Sequence, residues 1–343
     1  MYAWNGYQAG VNLGGWISQF QEAKKEHFDT FIQKEDIIQI SLWGMDHVRL
    51  PIDYMVLEDD SKPFEYKEEG FSYIDNCIKW CEEYHLNIIL DLHRTAGYAF
   101  HSLNESHLFE DELLQERFLS LWRIFSHRYI NYRENVVFEL LNEIVEPNSD
   151  RWNKLSKRAI KAIREIDKER TIILGGNHYN SIHTLKELEP VLDEHLVYTF
   201  HFYEPHIFTH QKAHWEPAME ELNFVVPYPF DRDSYEKYGM LSTGFRKQYY
   251  AAEKLDKAYL KQLITPALEF AKERNVSLYC GEYGVIDHAP MEGNLCWHKD
   301  LCELLIENKI GRAVWCYKLM DFPMVDQNSK VIEECLIKIV SEK

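Results

Sequence analysis

Two carboxylates stand directly after short apolar runs, where they could perform acid–base and nucleophilic chemistry. The run Val136–Leu141 has the length and β-branched content of a buried parallel strand, and Asn142 and Glu143 follow it. A second apolar run, residues 275–280, comes just before Glu282. Hydrolysis of a glycosidic bond with retention needs one carboxyl group held neutral to protonate the leaving oxygen and another ionised to attack the anomeric carbon. The two glutamates are therefore the predicted catalytic pair, although either alone could be a helix cap or part of a loop salt bridge.

Eight apolar runs separated by amphipathic patterns must position these groups. The predicted strands lie near residues 8–13, 46–50, 86–92, 136–141, 171–175, 196–201, 277–281 and 312–317. The clearest helical patterns between them cover residues 73–84, 115–130, 151–168, 259–274 and 295–309. This alternation predicts an α/β fold, a (β/α)8 TIM barrel that forms one catalytic domain over residues 1–343. In such a barrel the carboxyl ends of the strands meet at one mouth, where ligands bind.

One connection is too long for a simple loop. The sixth predicted strand ends at His201, but its helix does not begin until about residue 256, whereas most βα loops contain a few residues. We predict a small subdomain at residues 204–256, rich in aromatic side chains. They are Phe208, His210, His214, Trp215, Phe224, Tyr228, Phe230, Tyr235, Tyr238, Tyr249 and Tyr250. The subdomain could form a wall of the substrate groove, but we expect most of its rings to form its own small core.

The remaining strand ends supply further polar and aromatic groups. Arg49 would point into the mouth, where a guanidinium can keep a nucleophilic carboxylate ionised. His93, His201 and Tyr203 can donate hydrogen bonds to sugar hydroxyls or to the carboxylates. Trp315 offers a flat platform for a sugar ring. Each of these side chains alone could be an ordinary buried polar group, but their convergence on one mouth favours a functional site.

Composition and charge restrict the partners. The chain has 343 residues, and its net charge of −18 argues against binding to nucleic acid or anionic membrane surfaces. No apolar run approaches the length of a membrane span, and the first residues do not resemble a signal peptide. We expect a monomer, located in the cytoplasm or exported with a signal that this chain does not carry. Neither a cofactor nor a metal is expected.

These strand ends together resemble glycoside hydrolase family 5 of clan A. The resemblance covers essentially the whole chain and rests on Arg49, His93, Asn142, Glu143, His201, Tyr203, Glu282 and Trp315. It implies a retaining endo-β-1,4-glucanase acting on cellulose or mixed-linkage β-glucan, as polymer or oligosaccharide. Xylan and mannan remain alternative substrates.

The resemblance also implies roles for individual residues. Glu143 would be the acid/base and Glu282 the nucleophile, and Asn142 would bind the sugar 2-hydroxyl. Arg49 and Tyr203 would attend the nucleophile, His201 would lie beside the acid/base, and His93 would contact the sugar next to the cleaved bond. A cis peptide is implied after Trp315. The chain departs from many relatives at Arg94, which would add a cation near the groove, and at Cys316, where relatives often have Asn.

Two other classes of function stay open on the sequence alone. A metal-dependent barrel hydrolase would use His93, His201 and nearby carboxylates as ligands, but it usually has a His-x-His pair at the end of its first strand, and residues 12–14 offer none. A non-catalytic glucan-binding barrel usually lacks one carboxylate, whereas both are present here.

Overall fold

The computed structural model describes residues 3–102, 106–221, 225–231, 252 and 254–343, and its centre is a closed barrel of eight parallel strands. Numbered β1 to β8 in chain order, the strands are Ala9–Asn12, His47–Asp53, Asn87–Arg94, Val136–Glu139, Ile172–Gly175, Leu196–Phe202, Ser277–Tyr283 and Gly311–Val314. Each strand pairs with the next along the chain, and β8 pairs with β1. The predicted (β/α)8 TIM barrel is confirmed.

Helices cover the outside of the barrel between the strands. The described α-helices of eight or more residues, numbered α1 to α7, are Lys34–Leu42, Glu68–Glu83, Glu112–Arg128, Asp150–Arg164, Lys257–Arg274, Met291–Glu307 and Glu334–Ser341. Shorter helical segments are Lys25–Thr30, Tyr54–Leu57, Ile130–Tyr132, Asn177–Asn180, Ile182–Glu187, His206–Thr209 and Pro217–Glu220. No helix of the described ranges is long and apolar enough to span a bilayer.

The ends of these helices follow from local sequence. The carboxylate of Asp111 accepts a hydrogen bond from the backbone N–H of Leu113 (2.7 Å) at the start of α3, and Asp256 accepts one from Ala258 (3.0 Å) at the start of α5. Helix α5 ends at Arg274, and the capping residue that follows, Asn275, adopts the left-handed conformation with φ of 54°. These caps fix where the chain leaves each helix and returns to the barrel.

The interior of the barrel changes from apolar to charged along the strands. A buried apolar cluster contains Ile89, Val137, Ile173, Val197, Tyr279 and Ala313. Because strand side chains alternate between faces, positions two residues further along β3, β4 and β6 also point inwards. These positions hold Asp91, Glu139 and Thr199, all fully buried. The apolar cluster thus forms a floor, and polar chemistry begins directly above it.

The connection between β6 and α5 carries additional structure in its described part. The segments His206–Thr209 and Pro217–Glu220 are helical, and Phe230–Asp231 pairs antiparallel with Lys254–Leu255. Much of the predicted subdomain, including Phe224, Tyr235, Tyr238, Tyr249 and Tyr250, lies outside the described residues. The assignment of residues 204–256 to an inserted subdomain of a single catalytic domain therefore stays a prediction.

Candidate active site

The structure brings all eight predicted site residues together at the carboxyl ends of the strands. A cavity of about 1130 Å³ opens there, and six of the eight line it: His93, Glu143, His201, Tyr203, Glu282 and Trp315. Arg49 and Asn142 are buried and hydrogen-bonded to each other beneath it. The strand-end positions recognised in the sequence thus form one site, although they are distant along the chain.

Arg49, fully buried on β2, is the electrostatic centre of this site. Its Nη1 donates to Glu282 Oε1 (2.7 Å), and its Nε and Nη2 donate to the two carboxylate oxygens of Glu139 (2.7 and 2.9 Å). Asp91 Oδ2 lies 3.0 Å from Nη2. The three carboxylates raise the pKa of Arg49 well above its usual range, although burial opposes them. A permanent cation therefore lies directly against Glu282.

The carboxylate of Glu282 is held from both sides. Arg49 binds Oε1, and the hydroxyl of Tyr203 donates to Oε2 (3.0 Å). A register shift in β7 between Cys280 and Glu282 places Glu282 opposite His201 of β6. Gly281 makes this close packing possible, because a Cβ there would lie 2.9 Å from Thr199 Oγ1. The bulge therefore turns Glu282 into the mouth in a fixed orientation.

Glu143 has a different environment. Its side chain is 12% exposed, its backbone adopts a left-handed φ of 43°, and Oε1 lies 2.8 Å from Nδ1 of His201, within hydrogen-bond distance. Burial raises the pKa of Glu143 to about 7; Arg49 opposes this effect and Glu139 adds to it. A carboxyl group with such a pKa can be protonated near neutral pH. Glu143 is thus suited to donate a proton, whereas Glu282 is held by a cation.

The two carboxyl groups are close enough for double displacement. An oxygen of Glu143 and an oxygen of Glu282 lie within 4.8 Å of each other. Retaining glycosidases separate their carboxyl groups by about 5–5.5 Å, and inverting ones by about 6.5–9.5 Å to admit a water. The observed separation fits retention.

Two histidines complete the mouth in their neutral form. Burial lowers the pKa of His201 to about 4 and that of His93 to about 3. His93 Nδ1 lies 2.7 Å from Asp91 Oδ2, and Nε2 lies 3.5 Å from the amide nitrogen of Asn142. The two contacts fit a neutral ring with its proton on Nδ1 and a hydrogen-bond acceptor at Nε2. His93 also stacks on Trp315 (ring centroids 5.7 Å apart). The pair presents a flat, partly polar surface to the cavity.

One potential metal-ligand atom from each of Glu143, His201 and Glu282 lies within 4.8 Å of the other two, close enough for the three to bind one ion. However, both oxygens of Glu282 already accept hydrogen bonds, from Arg49 and Tyr203, and the guanidinium 2.7 Å away would repel a second cation. The geometry of this group favours proton transfer and nucleophilic attack over metal ligation.

Aromatic side chains of the long β6–α5 connection have mixed roles. Phe208, Tyr228 and Phe230 are buried in the main core, and the Tyr228 hydroxyl donates to Asp300 on α6 (2.9 Å). These three rings therefore pack in the core of the barrel, whereas the sequence analysis predicts a separate small core for most rings of the connection. By contrast, His210 and Trp215 line the cavity, and Trp215 is 47% exposed.

Two further expectations from the resemblance concern the peptide after Trp315 and the side chain of Arg94. The peptide Trp315–Cys316 is cis, as the resemblance implied. Arg94 lies with Nε 3.5 Å from Asp53 Oδ2, and its side chain is 19% exposed, so its charge is partly compensated inside the protein. The cation expected near the groove is therefore paired with Asp53.

Sequence analysis missed several residues that support the site. Asp91 and Glu139 bind Arg49, and Asn12 accepts from Arg49 Nη1 (2.9 Å) while its amide donates to carbonyls of β7 and β8. The signal for the two acidic residues was available, because both fall on the inward face two residues beyond an apolar floor position. Tyr98, from the β3–α3 loop, gave no signal of this kind.

Tyr98 fixes the backbone that carries Glu143. Its buried hydroxyl donates to the carbonyl of Glu143 (2.8 Å) and accepts from the N–H of Val145 (2.7 Å). We expect Tyr98→Phe to lower kcat/KM on cellotetraose about tenfold, since small errors in the position of a reacting group are costly. We also expect the free energy of unfolding, measured in urea, to fall by about 1–3 kcal/mol, because two buried hydrogen bonds disappear.

Tyr66→Phe is the matched control for this prediction. The Tyr66 hydroxyl donates to Ser120 Oγ (2.9 Å), and neither residue lines the cavity. Its loss should reduce stability by about 1 kcal/mol and leave kcat/KM within twofold. Equal activity of the two variants would show that Tyr98 does not position Glu143.

Comparison with known proteins gives one consistent result. The sequence profile of the family "Cellulase (glycosyl hydrolase family 5)" matches residues 5–320. The chain is 47% identical to Endoglucanase C of Acetivibrio thermocellus over 338 residues, which cover 98% of each chain. It is 38% identical to Cellodextrinase A of Ruminococcus flavefaciens, over 88% of this chain and 83% of that one. The crystal structure of the endoglucanase Cel5A from Thermotoga maritima superposes with a TM-score of 0.79 at 25% identity, covering 98% of this chain and 97% of that one.

Proposed function

The chain belongs to glycosyl hydrolase family 5, and from this membership we propose that it is a retaining endo-β-1,4-glucanase that cleaves internal bonds of cellulose or mixed-linkage β-glucan. The observation that carries the proposal is the pair Glu143 and Glu282, whose oxygens lie within 4.8 Å in opposite electrostatic environments. One carboxyl group is buried beside a neutral histidine, and the other touches a guanidinium. That contrast is what a proton donor and a nucleophile require.

In the first step, Glu282 attacks the anomeric carbon while Glu143 protonates the departing oxygen. Arg49 and Tyr203 keep the attacking carboxylate ionised and oriented. The glycosidic C–O bond breaks, the aglycone leaves as an alcohol with the proton of Glu143, and a bond forms between the sugar and Glu282. The transition state resembles an oxocarbenium ion, which the nearby carboxylates stabilise.

In the second step, Glu143 acts as a base. It is ionised after the first step, so it can remove a proton from a water molecule that attacks the anomeric carbon on the face vacated by the aglycone. The bond to Glu282 breaks, the sugar is released with retained configuration, and Glu143 regains its proton. One residue thus acts as acid and base once in each turnover.

Substrate binding falls to the groups that line or underlie the cavity. Asn142 accepts from Arg49 through Oδ1 (2.9 Å), and its Nδ2 lies 3.5 Å from His93 Nε2, so that one amide N–H is left for the sugar 2-hydroxyl. His93 Nε2 can accept from a hydroxyl of the same sugar in place of its long contact to Asn142, and the ring of Trp315 can stack on the face of the sugar. Trp215 supplies a second exposed ring on the cavity wall. A row of rings and hydroxyl-binding groups suits a neutral glucan chain.

The pH dependence should report the state of Glu143. Its pKa of about 7 means that the protonated form is lost as the pH rises through 7, so kcat/KM on cellotetraose should fall about tenfold per pH unit above that value. Initial rates between pH 4 and 9 check this. With 2,4-dinitrophenyl β-cellobioside, whose leaving group needs no proton, the fall above pH 7 should be much weaker. The same steep fall with both substrates would assign this fall at high pH, the basic limb of the profile, to a group other than Glu143.

The experiment that tests the function is a substrate panel. We expect reducing-sugar release from carboxymethyl cellulose and barley β-glucan, unchanged by a chelator and absent in Glu143→Gln. Activity on xylan or glucomannan alone would keep the mechanism and overturn the substrate assignment. Binding of glucan without product release would favour a non-catalytic barrel.

We further propose that residues 1–343 act as one catalytic domain, with residues 204–256 inserted in it, and that the protein is a monomer. Support comes from the continuous barrel and from the burial of the described connection against it. Light scattering after size-exclusion chromatography should give the mass of a single chain.

A further inference from the structure

Asn180 lies behind the proposed acid/base, in a place that none of the expected roles explains. It follows β5 and is fully buried. Its Nδ2 lies 3.2 Å from Nε2 of His201, and Nδ1 of the same ring contacts Glu143 Oε1 at 2.8 Å. Asn180 is therefore joined to Glu143 through a single imidazole ring.

The loop is built to hold this amide in place. His178, Tyr179 and Asn180 adopt left-handed φ values of 49°, 60° and 53°, an unfavourable run for residues other than glycine. A Cβ on Gly175 would lie 2.2 Å from Asn180 Oδ1, so only glycine leaves room for the amide. The backbone N–H of Tyr179 donates to the carbonyl of Ile144 (3.1 Å), which ties the loop to the segment of Glu143.

The surroundings of His201 determine where its proton lies. Nδ1 faces two carboxyl groups, Glu143 at 2.8 Å and Glu282 at 3.6 Å. The ionised Glu282 can only accept from it, and Glu143 Oε1 also accepts whenever the Glu143 proton lies on the other oxygen or has left. A neutral imidazole carries one N–H, so Nε2 must be the acceptor. The amide of Asn180 supplies the matching donor, and among the described residues its Oδ1 has no hydrogen-bond partner. Among the described residues, His201 is therefore the side chain to which the amide of Asn180 is hydrogen-bonded.

We propose that Asn180 is a positioning residue that holds His201 in the neutral form with its proton on Nδ1, and thereby keeps the proton of Glu143 on the oxygen that faces the leaving group. In the other tautomer, the Nδ1 lone pair would face Glu143 Oε1. It would accept the acidic proton there and draw it away from the glycosidic oxygen. This inference rests on the proposed role of Glu143.

Burial supports a neutral ring, since it lowers the pKa of His201 to about 4. The other titratable or charged groups that face the His201–Glu143 pair are Arg49, Asp91, His93, Tyr98, Glu139, Tyr179, Tyr203 and Glu282. All of them remain unchanged in the variants below.

Asn180→Asp tests the proposal with almost no change in shape. A carboxylate at this position would accept from Nε2 while Glu143 and Glu282 accept from Nδ1, so the ring should become an imidazolium. A cation 2.8 Å from Glu143 outweighs the new anion on the far side of the ring and lowers the pKa of Glu143. The basic limb of kcat/KM should move down by about one pH unit or more.

The loss should depend on the leaving group. At pH 7 we expect Asn180→Asp to lower kcat/KM on cellotetraose about 100-fold, the scale of general acid catalysis, and on 2,4-dinitrophenyl β-cellobioside less than about fivefold. Asn180→Leu, which keeps the shape but offers no polar group, should also affect cellotetraose selectively, by about tenfold, without the downward shift of the basic limb that Asn180→Asp causes.

Asn177→Asp is the matched control in the same loop. Asn177 is equally buried, but within the described ranges its amide bonds backbone groups alone, at Glu146 (2.9 Å) and His178 (2.8 Å). A charge there should lower the melting temperature without moving the basic limb. Equal losses on both substrates in both Asn180 variants, with the limb unmoved, would reduce Asn180 to a structural role and overturn the proposal.

A direct measurement separates this proposal from the proposed function. Long-range ¹⁵N–¹H correlation spectra of histidine-labelled protein, with His201 assigned through His201→Asn, should show the proton on Nδ1 in the wild type and on both nitrogens in Asn180→Asp. A proton on Nε2 in the wild type would contradict the proposal even if the enzyme is an active glucanase. Absence of glucanase activity together with an Nδ1 proton would instead fail the proposed function alone.

Discussion

We expect Glu282→Gln to lose hydrolysis of every glucan, with kcat/KM on cellotetraose reduced by at least about 10,000-fold. An amide cannot form the glycosyl intermediate, and the uncharged side chain no longer stabilises the oxocarbenium-like transition state. Unlike an acid/base variant, this one should be equally inactive on 2,4-dinitrophenyl β-cellobioside, because a better leaving group does not replace a missing nucleophile. Initial rates on both substrates and a melting curve measure the effect.

Two comparisons make this expectation specific. Glu216→Gln removes another carboxylate that lines the cavity and pairs with His206 (2.7 Å), and it should keep activity within about threefold. In Glu282→Gly, added azide should restore turnover of the aryl glycoside and give a product of inverted configuration, since azide enters from the face of the missing carboxylate. Appreciable cellotetraose hydrolysis by Glu282→Gln would refute the nucleophile assignment.

Residues at strand ends were accessible from sequence because a parallel barrel has a simple geometry. An apolar run of strand length ends at the barrel mouth, so the polar residue that follows it is a candidate for the site. This reasoning located Arg49, His93 and Glu143 without any knowledge of their contacts. It did not depend on the exact strand bounds, since β4 ends at Glu139 and not at the predicted residue 141.

Glu282 shows where simple alternation stops being sufficient. Counting in steps of two from the inward-facing Tyr279 places Gly281, and not Glu282, inside the barrel. The bulge between Cys280 and Glu282 reverses this, and glycine permits it because a side chain at position 281 would collide with Thr199. The sequence contains the glycine, but only the structure shows which way the strand turns.

Residues on separate loops were not predictable for a different reason. Tyr98 bonds the backbone at Glu143, 45 residues further along the chain, and at Val145. Asn180 acts on Glu143 through the ring of His201, which is 21 residues away from Asn180. No periodic pattern links such positions, because the contact depends on how two loops pack. The same holds for the cavity wall formed by Trp215.

The cluster around Arg49 explains how two similar carboxyl groups acquire different tasks. Its guanidinium is hydrogen-bonded to Glu282 but does not contact Glu143. The ion pairs of Arg49 with Glu139 and Asp91 partly neutralise its positive charge. Glu143 is therefore left mainly with the cost of burial, which raises its pKa. The acid and the nucleophile are thus distinguished by which of them the buried cation touches.

The second large effect is expected for Glu143→Gln, and it should depend on the leaving group. On cellotetraose, kcat/KM should fall at least about 1,000-fold, because the departing alkoxide needs a proton in the transition state. On 2,4-dinitrophenyl β-cellobioside the first step needs no acid, so kcat/KM should fall less than about tenfold, whereas kcat falls further because water attack on the glycosyl enzyme loses its base.

A burst of dinitrophenolate equal to the enzyme concentration, followed by a slow steady state, should mark the accumulating glycosyl enzyme. Azide should accelerate the steady state and yield a glycosyl azide of retained configuration, the opposite of the product expected for Glu282→Gly. Mass spectrometry of the quenched variant should show the added cellobiosyl mass on Glu282. Equal losses on both substrates without a burst would move the acid/base role away from Glu143, whereas the expected split would assign both carboxylates in one set of measurements.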